Sequence, residues 1–402
     1  MNPTHEVFNQ PAPLVDTNLF ATNRAMQAAL KLNAPALDTA PLHALGAVVG
    51  SGEMQAHARL ANVHTPQLKT HNRLGQRVDQ VEFHPSYHAL MSAAVHAGLH
   101  GTAFSAEQQA TGHAHQLRAA GFMLFTELEP SILCPISMSY AVAPALKDNP
   151  AIYQDWASGL TSRAYDPALK PWHDKAGLTM GMGMTEKQGG SDVRANTTRA
   201  EPAGSDAWGE RFSVTGHKWF FSAPMCDAFL VLAQAPGGLS CFLLPRFAPD
   251  GGRNAVQIQR LKDKLGDWSN ASAEVEFQGA VAWRIGDEGR GVATILQMVA
   301  LTRLDCLLGS ASLMRQGDIN LILNCEPYSF AHSFFEAHGP SLCATAVRVK
   351  DSASALARAV AYKGQPYRGL VGPNELELAA VRAPDGSLIY LVDEAADVYG
   401  TD

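Results

Sequence analysis

Two short segments of the chain carry residue types from which a cofactor site could be built. Residues 182–193 read M-G-M-T-E-K-Q-G-G-S-D-V, and residues 216–222 read G-H-K-W-F-F-S. The hydroxyls of Thr185, Ser191 and Ser222 can hydrogen-bond a polar heterocycle or a phosphate. The paired glycines of the first segment let backbone approach a ligand closely, and the aromatic residues of the second offer flat apolar faces. Together these features predict a flavin site on a β scaffold.

Each of these features also has an ordinary structural explanation. Glycine pairs are common in turns, hydroxyls occur at strand ends and helix caps, and adjacent aromatic residues often belong to a core. Glu186 and Asp192 lie inside the loop motif and are interpreted as turn and cap carboxylates, not as catalytic bases. The joint spacing of the two segments, rather than any single residue, favours the cofactor site.

The segments that must position this site change in periodicity along the chain. Residues 1–180 carry apolar residues at helical spacing, which predicts a helical domain. Residues 181–288 contain short β-rich runs separated by Gly, Pro and Asp, which predicts a small antiparallel barrel or sandwich. Residues 289–314 return to a helical pattern and begin a third domain. The predicted elements are helices at 17–32, 86–99, 106–124, from 134 onward, 151–160 and 292–313, and strands at 211–215, 229–233, 240–244, 256–261 and 273–277.

Beyond residue 314 the pattern becomes a compact α+β succession. The predicted elements are strands at 315–324 and 342–349, helices at 329–338 and 352–362, and a hairpin of 375–381 with 387–392. The predicted fold class is therefore α+β multidomain. It comprises an N-terminal helical domain, a central antiparallel β-barrel domain, a truncated third helical domain, and a partial α+β module over residues 315–402.

The composition disfavours several classes of protein. The 402 residues are 46% hydrophobic and 17% charged, with a net charge of −7 and a pI near 6.1, which disfavours a general nucleic-acid binder. No apolar run approaches the roughly 18–20 residues that cross a bilayer. The N-terminus lacks the regions of a signal peptide, and six cysteines without a Cys-x-x-Cys pair predict reduced thiols in a cytoplasmic protein. The pairs His84/His88 and His96/His100 have the His-x-x-x-His spacing, but neither has the Glu after its first His that a zincin motif needs, so no metal site is expected.

The first of the two segments resembles a known family signature. Residues Gly183 to Ala195 are similar to the acyl-CoA dehydrogenase pattern G-M-T-E-x-x-G-G-S-D-x-x-A. The order of a helical domain, a β domain and a further helix also fits that family. Finer motifs resemble its AidB branch and cover residues 1 to about 314. They lie at 7–11, 59–63, 134–135, 154–156 and 262–266, in addition to the two segments above.

This resemblance implies FAD as the cofactor and an acyl-CoA-like small molecule as the substrate. It assigns Met182, Met184 and Thr185 to the flavin ring, and Ser222 to a position near flavin N5. The other implied cofactor-binding residues are Gly190 and Ser191 at the pyrophosphate, and Gly216, His217, Lys218 and Phe220 in the second segment. Phe220 stands where most of the family has a Trp. Trp268 replaces the Arg usually found after K-L-G-x, so one polar contact of the family is expected to be lost.

From Arg315 onward the chain resembles a different family. It is similar to the N-terminal part of bacterial 4-hydroxyphenylpyruvate dioxygenase, a member of the vicinal-oxygen-chelate fold. The motifs that carry this resemblance lie at 315–320, 338–341, 347–351, 372–376 and 386–393. In that family the iron ligands lie in a later domain, so no residue here inherits a metal. His332 and His338 are accordingly interpreted as structural or exposed.

The two resemblances meet near Leu313-Met314-Arg315, inside what should be one long helix of the flavoprotein's third domain. A gene fusion, a recombinant joining or a sequence-assembly error would each give this sequence. The family's catalytic glutamate lies beyond this point, and Glu326, Glu336 and Glu375 match no base motif. We therefore expect an acyl-CoA dehydrogenase-type flavoprotein whose α,β-dehydrogenation is impaired, with no catalytic residue assigned.

The break has further expected consequences for cofactor and partners. Flavin binding is expected to be weakened, and the homo-oligomer of the family is doubtful in this chain. The resemblance links DNA association to a C-terminal basic helical region of the AidB branch that is missing here, so DNA binding is expected to be impaired. An apolar face of residues 292–313 is expected to be uncovered and to favour aggregation. Two alternatives remain: a non-catalytic flavin-binding remnant or chimera, and, less favoured, a 4-hydroxyphenylpyruvate dioxygenase fragment.

Overall fold

The structure is a computed structural model that describes residues 4, 13–316, 330–338, 343–369, 377–384 and 386–393. The chain divides into two compact units, Met1–Ile319 and Asn320–Asp402. The motif predicted at residues 7–11 and most of the strand predicted at 315–324 lie outside the described residues.

The first unit begins with a helical part. Its elements are α1 (Leu19–Thr22), α2 (Arg24–Asn33), α3 (Ala40–Val49), α4 (Gly52–Val63), β1 (Gln67–His71), β2 (Arg77–Glu82), α5 (Pro85–His96), α6 (Ala106–Ala110), α7 (Ala114–Leu128), α8 (Leu133–Leu146) and α9 (Pro150–Thr161). Three short 3₁₀ turns lie at Gly101–Phe104, Trp172–Asp174 and Val193–Ala195. Helices therefore dominate this part of the chain, as its periodicity predicts, and the domain boundary at residue 180 stays a prediction. The sequence did not predict α3, α4 or the β1–β2 hairpin.

Capping residues explain why two predicted helices are each divided. The helix predicted over 17–32 becomes α1 and α2, because Asn23 caps both. Its backbone N–H donates to Phe20 O at the end of the first, and its side chain accepts a hydrogen bond from Met26 N at the start of the second. The helix predicted over 106–124 breaks after Ala110. Gly112 has a φ of +71°, a left-handed conformation that favours glycine and stops a helix.

The second part of the first unit is a seven-stranded sheet. Its strands are β3 (Met180–Gly183), β4 (Arg199–Asp206), β5 (Gly209–Ser222), β6 (Ala228–Ala235), β7 (Gly238–Pro245), β8 (Val256–Leu261) and β9 (Ser272–Ile285). The strand order is β3-β5-β4-β6-β7-β9-β8, with additional β3–β6 and β5–β9 pairings. The sequence predicted an antiparallel sheet. The observed sheet is mixed, because β3 and β6 run parallel. Closure into a barrel stays a prediction.

A single large core joins this sheet to the helices. The interior strands β6 and β7 are buried on both faces, and they pack with α8, α9 and the aromatic side chains of Trp156 and Trp283. Met180 N donates a hydrogen bond to Ser139 Oγ on α8 at 2.9 Å, and this bond fixes the start of β3. The strand that carries the first candidate segment is therefore held by the helical part.

A long helix, α10 (Gly291–Gln316), follows the sheet and packs against α7, α8 and β7. Arg118 of α7 and Asp305 of α10 form a buried two-pronged ion pair, with Arg118 Nη2 to Asp305 Oδ2 at 2.7 Å. The strand predicted from Arg315 is wrong at its first two residues, because Arg315 and Gln316 continue this helix. The helix runs unbroken through the predicted junction near residue 314.

Among the described helices, α10 alone is long and apolar enough to cross a membrane by length and composition, with a mean hydropathy of 1.5 over its best window. The sequence prediction that no apolar run reaches this length is therefore corrected. The core helix of a globular protein passes the same test, and the buried ion pair of Arg118 with Asp305 ties α10 to the rest of its unit.

The second unit contains α11 (Phe330–His338), β10 (Ala344–Val349), α12 (Ser352–Ala361), β11 (Gln365–Tyr367), β12 (Ala379–Arg382) and β13 (Leu388–Asp393). Its sheet has the order β10-β13-β12-β11, with β10 parallel to β13 and the other pairs antiparallel. The helices predicted at 329–338 and 352–362 correspond to α11 and α12, the strand predicted at 342–349 to β10, and the predicted hairpin to the antiparallel pair of β12 and β13. Residues 329, 342, 375 and 376 of these predictions lie outside the described residues.

Candidate functional site

Strands β3 and β5 bring the two candidate segments side by side. Met182 lies opposite Ser222 in the antiparallel ladder, and Gly183 lies opposite Phe221. Beyond the ladder, Trp219 N donates a hydrogen bond to Thr185 O at 2.8 Å, which continues the pairing into the loop that follows β3. The residues predicted to contact a flavin ring therefore lie at the adjacent ends of β3 and β5 and in the loop just after β3, although Met182 and Ser222 are about 40 positions apart in the chain.

The loop after β3 is held at several points along its backbone. Asn196 Nδ2 donates to Met184 O at 2.8 Å, and Lys187 N donates to His217 Nε2 at 3.2 Å. Gly189 has a φ of +113° and its N–H donates to the carbonyl of Glu186 at 3.0 Å, so the loop closes into a tight turn. His217, predicted to bind cofactor, thus uses one ring nitrogen to hold this loop.

Glu186 lies at the centre of a buried polar network. Its carboxylate is fully buried and accepts a hydrogen bond from Lys218 Nζ at 2.9 Å, and the Lys218 side chain is also fully buried. Thr198 donates to the same carboxylate through its hydroxyl at 2.6 Å and its N–H at 3.0 Å. Thr197 donates through its N–H at 2.7 Å and its hydroxyl at 2.9 Å. Glu186 is therefore a buried anchor, not the simple turn carboxylate predicted from the sequence.

The charges of this network shift the acidity of both partners. Burial alone would raise the pKa of Glu186, but the Lys218 ammonium and the hydrogen bonds from Thr198 and Thr197 outweigh burial and lower the pKa to about 2. Burial lowers the pKa of Lys218 to about 8, against the attraction of Glu186. Glu186 is thus ionised at neutral pH and is a poor proton acceptor. Asp192 instead caps a 3₁₀ turn by accepting from Arg194 N at 3.1 Å.

One buried hydroxyl in the loop has no hydrogen-bond partner within the described ranges of the chain. Thr185 Oγ1 is buried, and no hydrogen-bond partner for it is found among the described residues. A Cβ added at Gly190 would lie 2.6 Å from Thr185 Cγ2, so only glycine lets the backbone pass this close. Gly216, with a φ of +149°, similarly leaves no room for a side chain against Thr198. An unpaired buried hydroxyl costs free energy unless a ligand satisfies it, and these features fit the polar edge of a flavin.

The outer side of the loop and of β5 exposes hydroxyl and aromatic groups. Ser191 is exposed, Ser222 is half-buried, and the Phe220 side chain is 48% exposed. Lys262 Nζ lies 3.3 Å from the ring centroid of Trp219 and 4.6 Å from that of Phe220, which places a cation on this aromatic surface. The sequence analysis noted the motif at 262–266 but did not assign Lys262 to the cofactor site. The contact of Lys262 with β5 depends on the pairing of β8 with β9, which the sequence does not reveal.

Trp268 lies on a separate loop and is 51% exposed. Its indole N–H donates to Lys264 O at 2.7 Å, while Lys264 Nζ donates to Asp267 O and Asn270 O. The ring therefore braces its own loop, and Ala271 O of the same loop accepts from Ala223 N next to β5 at 3.1 Å. This loop borders the end of the candidate site that carries Ser222.

Three family models match successive parts of the chain. Residues 9–167 match the adaptive response protein AidB N-terminal domain, and residues 181–280 match the acyl-CoA dehydrogenase middle domain. Residues 292–402 match the N-terminal part of hydroxyphenylpyruvate dioxygenase. The last match begins within α10, and the second contains both candidate segments.

Two curated relatives cover different parts of the sequence. The putative acyl-CoA dehydrogenase AidB of Escherichia coli is 49% identical over 314 residues, which is 78% of this chain and 57% of that protein. A 3-dehydroshikimate dehydratase of Pseudomonas putida is 69% identical over 93 residues, which is 22% of this chain and 15% of that protein. The chain thus spans little more than half the length of the first relative and a small part of the second, whose similarity the sequence reading had not anticipated.

A solved structure supports the fold of the first unit. The Caenorhabditis elegans protein ACDH-11, in complex with C11-CoA, superposes with a TM-score of 0.66 at 26% identity and covers 83% of this chain and 59% of its own. The family matches confirm both resemblances seen in the motifs, and the similarity to ACDH-11 supports the first of them. The chain therefore joins regions that match the AidB N-terminal domain and the acyl-CoA dehydrogenase middle domain to a region that matches the N-terminal part of hydroxyphenylpyruvate dioxygenase.

Proposed function

We propose that the first unit binds FAD and is an acyl-CoA dehydrogenase-type flavoprotein. The observation that carries this proposal is the buried hydroxyl of Thr185, which has no hydrogen-bond partner in the part of the chain that the structure describes. It lies next to Gly190 on a loop fixed to β5. Met182 and Met184 would flank the flavin ring, Gly190 and Ser191 would face the pyrophosphate, and Ser222 would lie near the reactive ring nitrogen. Lys218 would act indirectly, because its ammonium is bonded to Glu186.

Bound flavin would supply hydride acceptance, which no amino-acid side chain provides. The substrate that we propose is an acyl-CoA thioester, since the similar ACDH-11 structure contains C11-CoA. Dehydrogenation also needs a base at the α carbon. The two carboxylates of the loop are committed elsewhere: Glu186 to Lys218 and two threonines, and Asp192 to its cap. We therefore propose that this chain binds flavin but is impaired in dehydrogenation.

A non-catalytic flavin-binding protein is the second candidate. It is favoured by the same observation on Glu186, whose low pKa and buried position make it unsuitable as the proton acceptor. The two candidates differ in what an added thioester does. Bleaching of the flavin absorbance by an acyl-CoA would support a dehydrogenase, and an unchanged spectrum at saturating acyl-CoA would support the non-catalytic protein.

The test of flavin binding is titration of the purified chain with FAD, followed by absorbance and by quenching of flavin fluorescence. Replacing both hydroxyls, Thr185→Ala with Ser191→Ala, is expected to abolish flavin retention, since both face the proposed cofactor. The matched control replaces two exposed hydroxyls of the helical part, Thr65→Ala with Ser92→Ala, and should retain the wild-type affinity. The proposed site would be refuted if the folded wild-type chain does not bind FAD, or if the site variant binds FAD with the wild-type affinity.

A further inference from the structure

The loop after β3, residues 184–192, carries several of the proposed flavin contacts and is called the flavin loop below. The polar network beneath it suggests a role for residues that the cofactor itself would not touch. Glu186 follows Thr185 directly, and its carboxylate accepts hydrogen bonds from Lys218, Thr197 and Thr198. These donors lie on β5 and on the segment that leads into β4, so the carboxylate ties three separate stretches of chain together. Gln188 Nε2 adds a longer contact of 3.4 Å from within the loop.

Burying the ion pair of this network has an unfavourable desolvation free energy, so stability alone does not explain its presence. Both side chains are fully buried, and burying an unpaired charge costs several kcal/mol, whereas apolar groups of similar volume often stabilise a core as well or better. A buried pair is therefore weak support for stability alone. Its geometry does, however, fix the direction in which the residue before Glu186 points, because the backbone of Glu186 cannot rotate without breaking the bonds to its carboxylate.

Resting on the function proposed above, we propose that Glu186 and Lys218 are positioning residues for the flavin loop. The pair holds the Thr185 hydroxyl and the Gly190 backbone in the arrangement that receives the cofactor, without contacting the cofactor. Hydrogen bonds to the backbone of the neighbouring residues then complete the arrangement, from Asn196 Nδ2 to Met184 O and from Trp219 N to Thr185 O. The affinity for flavin is therefore set partly by a pair of charges beneath the site.

The position of the hydroxyl shows why such support is needed. Thr185 Oγ1 is buried without a partner among the described residues, so the free chain gains nothing from keeping it there. A loop without the anchor would turn this hydroxyl towards solvent or a backbone carbonyl, where it would be satisfied. The Glu186 carboxylate opposes this relaxation through bonds of 2.6–3.0 Å to three residues outside the loop.

The test separates positioning from simple stabilisation. Glu186→Gln and Lys218→Met each leave one buried charge unpaired and are expected to lower the thermal midpoint. The double variant, Glu186→Gln with Lys218→Met, removes both charges at similar volume and should recover most of that loss. If the pair positions the loop, the double variant still binds FAD about tenfold or more weakly than wild type. Amides 184–190 should also exchange hydrogen faster than in wild type when both chains are free of FAD.

A matched control uses another buried ion pair of the same unit. Arg118→Met with Asp305→Asn removes the pair between α7 and α10, and should change the thermal midpoint without changing the FAD affinity. A double variant at the site that recovers stability and binds FAD as tightly as wild type would overturn the positioning role. Unchanged amide exchange in the loop would do the same. If wild type itself binds no FAD, the proposed function fails first, so the two failures are distinguishable.

Discussion

The two units of the chain differ in how their sheets are buried. In the first unit, β6 and β7 are buried on both faces, and helices and aromatic side chains cover them. In the second unit, the middle four residues of β10 are all exposed, including Val347 at 42%. Its described buried apolar side chains are Ala380, Leu388, Leu391 and Val392. A sheet needs an apolar partner on at least one face to be stable, so most of the tertiary stabilisation belongs to the first unit.

The same difference appears in the polar groups. The first unit buries complete ion pairs, such as those of Lys218 with Glu186 and Lys175 with Asp227. The ion pairs described in the second unit lie at exposed side chains, as between Arg368 and Glu377. Buried charges are tolerated only where the surrounding structure fixes their partners, and exposed pairs contribute little. The comparison therefore predicts that side-chain changes have large effects in the first unit and small effects in the second.

The largest expected effect is that of deleting a core ring in the first unit. Phe229 on β6 is fully buried, with its ring centroid 4.2 Å from that of Phe221. Phe229→Ala should lower the free energy of unfolding of this unit by about 3–5 kcal/mol, because it leaves a cavity. All six tryptophans lie in the first unit, so urea unfolding followed by tryptophan fluorescence measures it selectively.

The matched change in the second unit is Val347→Ala, which should alter its stability by no more than about 0.5 kcal/mol because the side chain is exposed. Far-ultraviolet circular dichroism would follow that unit together with the first. Similar losses of unfolding free energy for Phe229→Ala and Val347→Ala would show that the sheets of the two units do not differ in how much buried side chains stabilise them.

The next effect concerns pH and a buried histidine of the first unit. His100 Nε2 bonds Ser162 O at 2.7 Å, and burial lowers the pKa of His100 to about 4 from the usual 6.5. The unfolded chain takes up this proton near pH 6.5 and the folded chain only near pH 4. Stability is therefore lost as the pH falls through this window, by up to about 3 kcal/mol.

Urea unfolding at pH 7, 5.5 and 4.5 would measure this contribution. His100→Asn should flatten the difference between pH 7 and 4.5 relative to wild type, whatever it does to stability at pH 7. The control His71→Asn replaces an exposed ring and should keep the wild-type pH slope. An unchanged slope in the His100 variant would show that other groups dominate the acid response.

The smallest expected effect on stability concerns the outer face of α10. Leu296, Leu304 and Leu307 share this face and are 43%, 44% and 67% exposed. Leu307→Ser should change the free energy of unfolding by no more than about 0.5 kcal/mol but should reduce concentration-dependent association, because it interrupts an apolar stripe. Light scattering over a concentration series would show it. Met298→Ser, on the buried side of the same helix, should instead destabilise the unit.

Much of the architecture followed from local patterns, and the departures have identifiable causes. Strands such as Val256–Leu261 and helices such as Ser352–Ala361 matched their predicted positions closely, because each shows clear periodicity between turn residues. Strand β4 was missed because its sequence R-A-E-P-A-G-S-D contains Pro and Gly and exposes most of its side chains. It is a strand because it pairs with β5, a contact that single-sequence reading does not reveal.

The site shows the same division between local and distant information. The sequence by itself determined which residue types are available: the hydroxyls, the paired glycines and the aromatic pair in two spaced segments. Only the tertiary structure decided that Glu186 and Lys218, 32 positions apart, meet as a buried ion pair, and that the Thr185 hydroxyl is buried with no partner among the described residues. Residue types are local properties of the chain. Burial and hydrogen-bond partners instead depend on which distant strands lie side by side.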